Sequence, residues 1–465
     1  MARIPLRSRA WHGDEQIELP VPDAWHVDIL GPADAPELSE EGVRQALSRP
    51  HAGPSLTELA RGKSTALLVI DDLGRPTPAH RIVPHLLVLL EAAGIGADGI
   101  SFLVATGSHR QLTHQEAERK LGAHIVARYP VHSHDAFDDD LCDLGRLPSG
   151  MPVIVNRRVL DADLVIGVSC ILPHTLAGFS GGGKIMLPGC AGILSISELH
   201  SFEAKRQRAQ VEPSPRRPDA RDVIEAFAER AGLAFSVNTV INSRRQVAAI
   251  VAGDFRAAHA EAVTRAVEVY RTEVPDELRQ TADIVIANGY PLDADPVQVS
   301  KSQWPRRLFP QADMILYDPA CDGIAYHGWS EFQKASVTNM ICGTISEART
   351  DGRYPAPLSA LLARPLLRRL GHWRLRAEAE RTDVSYRAYR EERGTIHTNT
   401  IAKRVMAKRA RLVICSASFP EWKRVVQFPN SVLLPDWEAV AAAGYLPDEP
   451  RRVAVIPCAP LQIPA

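Results

Sequence analysis

Seven short runs of Val, Ile, Leu and Ala stand out along the chain: ALLVIDD (66–72), ISFLVATG (100–107), ADLVIGVS (162–169), ADIVIANG (282–289), ADMILYDPA (312–320), RLVICSAS (411–418) and RRVAVIP (451–457). Each is a continuous apolar run, and each closes on a turn or a polar cluster. Strands that are apolar on both faces belong to parallel sheets covered by helices on each side. Their alternation with helical segments predicts an α/β protein with mostly parallel sheets flanked by helices. Near residue 275, YRTEVPDELRQTAD precedes a new series of strands, which predicts two domains, 1–275 and 276–465. EPSPRRPDA (212–220) reads as an exposed loop within the first, and the arginine-rich stretch 357–394 as solvated helices.

In open α/β sheets ligands gather at the carboxyl ends of the strands, so the residues just after these runs are the candidates for chemistry. The first run is followed by Asp72, Leu73, Gly74, Arg75, Pro76 and Thr77, the second by Gly107, Ser108 and His109, and the third by Cys170 through His174. Pro76 is expected to open a helix at its favoured first-turn position, giving Arg75 and a helix N-terminus for a carboxylate or phosphate. Next comes the loop GFSGGGKIMLPG, residues 178–189. It spells the first part of a phosphate-binding P-loop up to Lys184, but Ile185 stands where a hydroxyl would hold magnesium, and Pro188 stops a long helix from following. Either the loop is a degenerate nucleotide site or it presents a lysine for other chemistry.

Two more segments add candidates. His200 lies in SISELHSFE, on a predicted helix, and Gln298 and Lys301 in DADPVQVSKSQW are three apart and share a helical face. His259, in DFRAAHAEA, reads as structural.

Composition narrows the function class. A chain of 465 residues with 45% apolar content supports two or three cores. Its 54 basic and 55 acidic residues leave a net charge of −1, which implies no general attraction to nucleic acid or anionic membrane. Neither an apolar leader stretch nor a window of membrane-spanning length is found, so a cytoplasmic protein is expected. The seven cysteines are scattered without C-x-x-C spacing and suggest neither a disulfide framework nor a zinc site.

Taken together, DDLGRPTP, ATGSHRQLTHQE, HTLAGFSGGGKIMLPG, His200 and GYPLDADPVQVSK resemble the motifs of the nickel-dependent lactate racemase (LarA) superfamily, and the resemblance is spread over most of the chain. It implies an active site in the cleft between two domains. It also implies a nickel-pincer nucleotide, a pyridinium mononucleotide joined by a thioamide to Lys184, near Gly181, Gly182 and Gly183, with Asp72 and Thr77 close to it and His200 as the protein ligand of nickel. The implied reaction inverts C2 of a 2-hydroxy acid: hydride passes to the cofactor and returns to either face of the planar keto acid, while His109 and His174 act as bases. Arg75, Gln298 and Lys301 match positions around the substrate. Proteins that synthesise the cofactor and insert nickel are implied partners. The chain lacks the Trp-Gln pair of the lactate enzyme in GTIHTNTIAKRVMAKRA and places Trp304 and Pro305 after Lys301, so a substrate larger than lactate is expected. Two alternatives stay open: a redox or transhydrogenase enzyme with the same cofactor, and a nucleotide-binding homologue without catalysis.

Overall fold

The computed structural model describes residues 2–136, 138, 140–174, 177–200, 219–322, 412–417 and 431–465. Two six-stranded sheets organise it. In the first, the order is Val247–Gly253, Leu233–Ile241, Leu164–Cys170, Ala66–Asp71, Ile100–Ala105, Val131–Ser133. Every neighbouring pair is parallel except the first, which forms an antiparallel ladder. In the second, the order is Ser431–Leu434, Leu412–Cys415, Asp313–Tyr317, Ile284–Asn288, Arg451–Ile456, Trp25–Ile29, and all pairs are parallel. All seven apolar runs lie in these sheets, and the Ala66–Asp71 and Leu164–Cys170 strands are buried at every position. Such strands need apolar side chains on both faces because helices cover both.

Apolar packing fills both faces of the first sheet. Val69, Leu103, Val155 and Phe227 belong to one core, and Leu68, Ile82, Leu86 and Phe102 to another. The second sheet is covered on one side by the N-terminal hairpin. Ala2–Ser8 pairs antiparallel with Glu15–Val21, and its Ile4, Leu6, Leu19 and Val21 join Ile286, Ile315, Val413 and Trp437 in one core. Trp25–Ile29 precedes the first sheet in the chain yet is the edge strand of the second, and the apolar face of the hairpin packs against that same sheet.

In each sheet the chain leaves a central strand in one direction and later returns on its other side. In the first, that reversal lies between Ala66–Asp71 and Leu164–Cys170; in the second, between Ile284–Asn288 and Arg451–Ile456. Crevices at such reversals are where α/β sheets bind ligands. The loop after the first of these strands is DLGRPTP, and the loop after Ile284–Asn288 carries Gln298 and Lys301. No helix among the described residues is long and apolar enough to cross a membrane. The cysteines at 170, 190, 415 and 458 are buried thiols, whereas Cys142 and Cys321 are partly exposed. Cys342, most of the 212–220 loop, the 357–394 stretch and the segment before RLVICSAS lie outside the described residues.

His134, at the end of the first sheet, is fully buried. Its Nε2 lies 2.9 Å from the Ala191 carbonyl and its Nδ1 lies 3.2 Å from the Asn156 side-chain nitrogen. The neutral ring, with its proton on Nε2, satisfies both partners, and burial lowers its pKa from 6.5 to about 4. The unfolded chain therefore takes up this proton first as pH falls, so stability present above pH 6.5 is lost toward the folded pKa. Between neutral pH and about pH 5 His134 should remove about 2 kcal/mol. Urea unfolding at both pH values should show a flatter dependence in His134→Gln than in the wild type. Equal slopes would mean that other groups govern acid unfolding.

Candidate active site

The glycine loop, the DLGR loop and the His109 loop meet in a cleft of about 220 Å³ whose lining includes Asp72, Arg75, His109, His174, Lys184 and His200. Each side chain is held by local structure. After Ala66–Asp71 the chain turns so that Gly74 N donates to Asp72 Oδ1 at 3.0 Å. The other carboxylate oxygen, Asp72 Oδ2, is 2.5 Å from His109 Nδ1. His109, together with the Arg75 and Lys120 charges, holds this buried carboxyl well below the usual carboxylate range despite desolvation. A carboxylate on Nδ1 fixes the proton there and leaves Nε2 as the basic nitrogen.

His174 sits in the two-residue strand Pro173–His174, paired antiparallel with Gly178–Phe179. Ala177 N donates to its Nδ1 at 3.3 Å, a long bond. Burial, then the nearby charges of Lys184, Lys301 and Arg75, push its pKa well below 6.5, so the ring is uncharged at neutral pH. His200 lies on the helix over 193–200, exposed, at the edge of the cleft.

The glycine loop owes its sequence to packing. Gly181 has φ +86° and Gly182 φ +56°, the left-handed region that side chains disfavour. A Cβ on Gly181 would meet Ile171 at 2.4 Å, and one on Gly182 would meet His259 at 2.9 Å. Gly182 N donates to Asn238 Oδ1 at 2.8 Å, and His259 Nε2 lies 3.0 Å from the Ser180 carbonyl. His259 is therefore a brace of the loop. Gly182–Ile185 forms one short 3-10 turn and no long helix, in keeping with Pro188. Gly181 lines the cleft, whereas Gly182 and Gly183 do not. Gly183 backs onto the Ala220–Arg230 helix, where a Cβ would come within 3.0 Å of Ala228.

This turn presents Lys184 half-buried, and burial together with Arg75 and Arg221 lowers its pKa well below that of an ordinary lysine. That shift favours the uncharged amine, which is the nucleophilic form. Lys301 is lowered likewise, by burial and then by Arg75 and Lys184, so the second sheet's loop reaches the charges of the first. Gln298 is buried on the same 3-10 segment, Pro296–Ser302, where residues three apart eclipse one another. The two carboxylates that line the cleft, Asp71 and Asp72, are both engaged, by Lys120 and Thr77 and by His109. The Arg75 guanidinium in the lining gives the cleft an affinity for anions. Cys170 also lines it, but burial and Asp71 push its thiol up to about 12, so it is no nucleophile at neutral pH.

One expectation is revised, and two residues lie away from the cleft lining. The helix after DLGRPTP begins at Ala79, with Pro78 and not Pro76 at its start, because residues 72–77 are occupied by the turn that places Arg75. Thr77 is buried and does not line the cleft; its hydroxyl donates to Asp71 Oδ2 at 2.6 Å. Trp304, counted among the signs of a substrate larger than lactate, packs against the core containing Phe309 and Met314, and its indole N–H donates to the Ala459 carbonyl at 2.8 Å. Sequence reasoning missed Arg221 and Lys120. Arg221 donates to the carbonyls of Ala177, Phe179 and Gly181, threading the loop between His174 and Lys184. Nothing in ARDVIEAF distinguishes it from an ordinary helix arginine.

Residues 12–212 match the lactate racemase N-terminal domain family. The lactate racemase of Lactiplantibacillus plantarum is 37% identical over 270 residues, 57% of this chain and 62% of that protein. The lactate racemase of Thermoanaerobacterium thermosaccharolyticum is 35% identical over 269 residues, with the same coverages. This chain thus spans 62% of the length of each relative. The solved structure of the lactate racemase apoprotein from Thermoanaerobacterium thermosaccharolyticum shares the fold, with a TM-score of 0.65 at 22% identity over the whole of both chains. A Thermotoga maritima protein of known structure does so with a TM-score of 0.58 at 17% identity, over 93% of this chain and all of the other. The N-terminal part of the chain thus matches the lactate racemase N-terminal domain family over residues 12–212, and the fold is that of the lactate racemase apoprotein.

Proposed function

We propose that the protein is an isomerase that racemises or epimerises a 2-hydroxy acid in this cleft, with a nickel-pincer nucleotide bound to Lys184. One observation carries the reading: a carboxylate-backed imidazole, a second and uncharged imidazole, and a low-pKa lysine line a single cation-rich cleft.

These residues fit the cofactor. Lys184 offers an amine in nucleophilic form, His200 offers an imidazole at the cleft edge for nickel, and the cationic lining suits a phosphate. When bound, the group supplies a reversible hydride acceptor beside C2. The chain does the rest. Arg75 and Lys301 hold the substrate carboxylate, and Gln298 supports the same pocket. His109 takes the hydroxyl proton at Nε2, and Asp72 stabilises the imidazolium that results. His174 serves the opposite configuration of the hydroxyl. Its bond from Ala177 is weak enough to be given up as the ring takes a proton. Each histidine returns to its resting state by exchange with water.

With Trp304 occupied in the core, the case for a substrate larger than lactate rests on the missing Trp-Gln pair. A chiral assay over a panel of 2-hydroxy acids, on protein matured with the cofactor-synthesis enzymes, tests the proposal. Interconversion at constant total hydroxy acid is expected; accumulation of keto acid would identify a redox enzyme instead. His200→Ala should keep the organic mass on Lys184 but lose most of its nickel, by intact mass and metal analysis. Full nickel occupancy would place the ligand elsewhere.

A further inference from the structure

Lys120 is completely buried and lies just beyond the motif ATGSHRQLTHQE, outside every segment singled out from the sequence. It ends the helix His114–Leu121, which follows the His109 loop and is fixed at its start by a capping box between Thr113 and Glu116. Arg110 adds a bidentate pair to Glu116, at 2.8 and 2.6 Å. The ammonium turns back onto the other catalytic loop. It donates to the carbonyls of Asp72 and Arg75, both at 2.9 Å, and forms an ion pair with Asp71 Oδ1 at 2.7 Å. Its exposed flank is closed by the Trp11 ring, 5.1 Å from ring centre to Nζ.

Every polar partner of Lys120 thus belongs to the five residues 71–75. Asp72 is gripped twice by one segment: its carboxylate by His109 and its carbonyl by Lys120, eleven residues further on. Arg75 is held by the same ammonium. A buried ammonium needs partners for all three of its N–H groups, and here all three come from one turn instead of from different elements. This one spans the backbone on both sides of the turn that aims Asp72 at His109 and Arg75 at the cleft.

We propose that Lys120 is a positioning residue, locking Asp72, and through it the imidazole of His109, into one unit with Arg75. The catalytic importance of that unit rests on the function proposed above; the unit itself does not.

The test uses Lys120→Met in the full chain. The His109 Nδ1 proton, held between ring and carboxylate, should give a far-downfield NMR resonance in the apoprotein, assigned by its loss in His109→Gln. We expect Lys120→Met to lose this resonance and, after cofactor loading, to lose about a hundredfold in kcat/KM, as misplacement of a catalytic group does. Leu121→Ala, on the same helix but facing the apolar core, should destabilise the fold while keeping the resonance and the rate. Because Lys120→Met leaves Asp71 buried and unpaired, Lys120→Met with Asp71→Asn removes both charges and is read in the same way. Retention of the resonance in either variant, or its absence in the wild type, would overturn the proposal. If neither variant folds, Lys120 is a determinant of folding and the proposal falls too. Absence of racemisation in the wild type would remove the functional reading and leave the resonance result standing.

Discussion

Lys184→Arg is expected to fold like the wild type, to carry no covalent adduct and to show no turnover. Its lysine sits in a 3-10 turn whose geometry is set by Gly181, Gly182 and Asn238, none of which touches the amine's role, so circular dichroism and the melting profile should change little. The chemistry changes completely. Arginine keeps the charge at every accessible pH and has no amine to form a thioamide, whereas burial beside Arg75 and Arg221 makes the lysine amine available uncharged. Intact mass after co-expression with the maturation enzymes would show the adduct on the wild type alone. If Lys184→Arg were loaded or active, the covalent reading would fail, and the cleft would be an electrostatic anion site.

A second loss of similar size should follow removal of either histidine. If His109 and His174 serve opposite configurations of the hydroxyl, complete racemisation passes through both, and each single Gln substitution should abolish interconversion from either enantiomer. Loss of a general base costs about two to four orders of magnitude. One variant separates the two: Asp72 is the carboxylate behind His109, so Asp72→Asn should reproduce His109→Gln and leave a half-reaction that depends on His174 intact. That half-reaction is visible as a single transfer of deuterium from C2 of labelled substrate to the cofactor. Substantial racemisation in either histidine variant, at matched cofactor loading, would rule out two bases in this protein.

Much of the fold and of the site is legible in the chain itself. A strand buried on both faces must be apolar throughout, so seven of the sheet strands announce themselves, and the rule that ligands bind at carboxyl ends then points to Asp72, His109, His174 and Lys184. That information is local. Trp25–Ile29 escapes because an edge strand is half exposed and keeps polar residues, and the Val247–Gly253 ladder because its pattern gives no sign of a partner.

Only the tertiary structure decided which distant segments meet. The N-terminal hairpin joins the second sheet because its apolar face matches Ile286 and Trp437, residues far along the chain. Gly182 and Gly183 are required by His259 and the Ala220–Arg230 helix, and Thr77 turns from the cleft to Asp71. Lys120 and Arg221 look in the sequence like ordinary helix cations; Lys120 is buried and Arg221 half-buried, each against backbone carbonyls of the loops that form the cleft, a role that depends on three-dimensional register alone. The depressed pKa values of Lys184 and Lys301 have the same origin. Burial and mutual repulsion act through space between charges that the sequence keeps far apart, so composition fixes how many cations exist and the fold determines which of them are forced together.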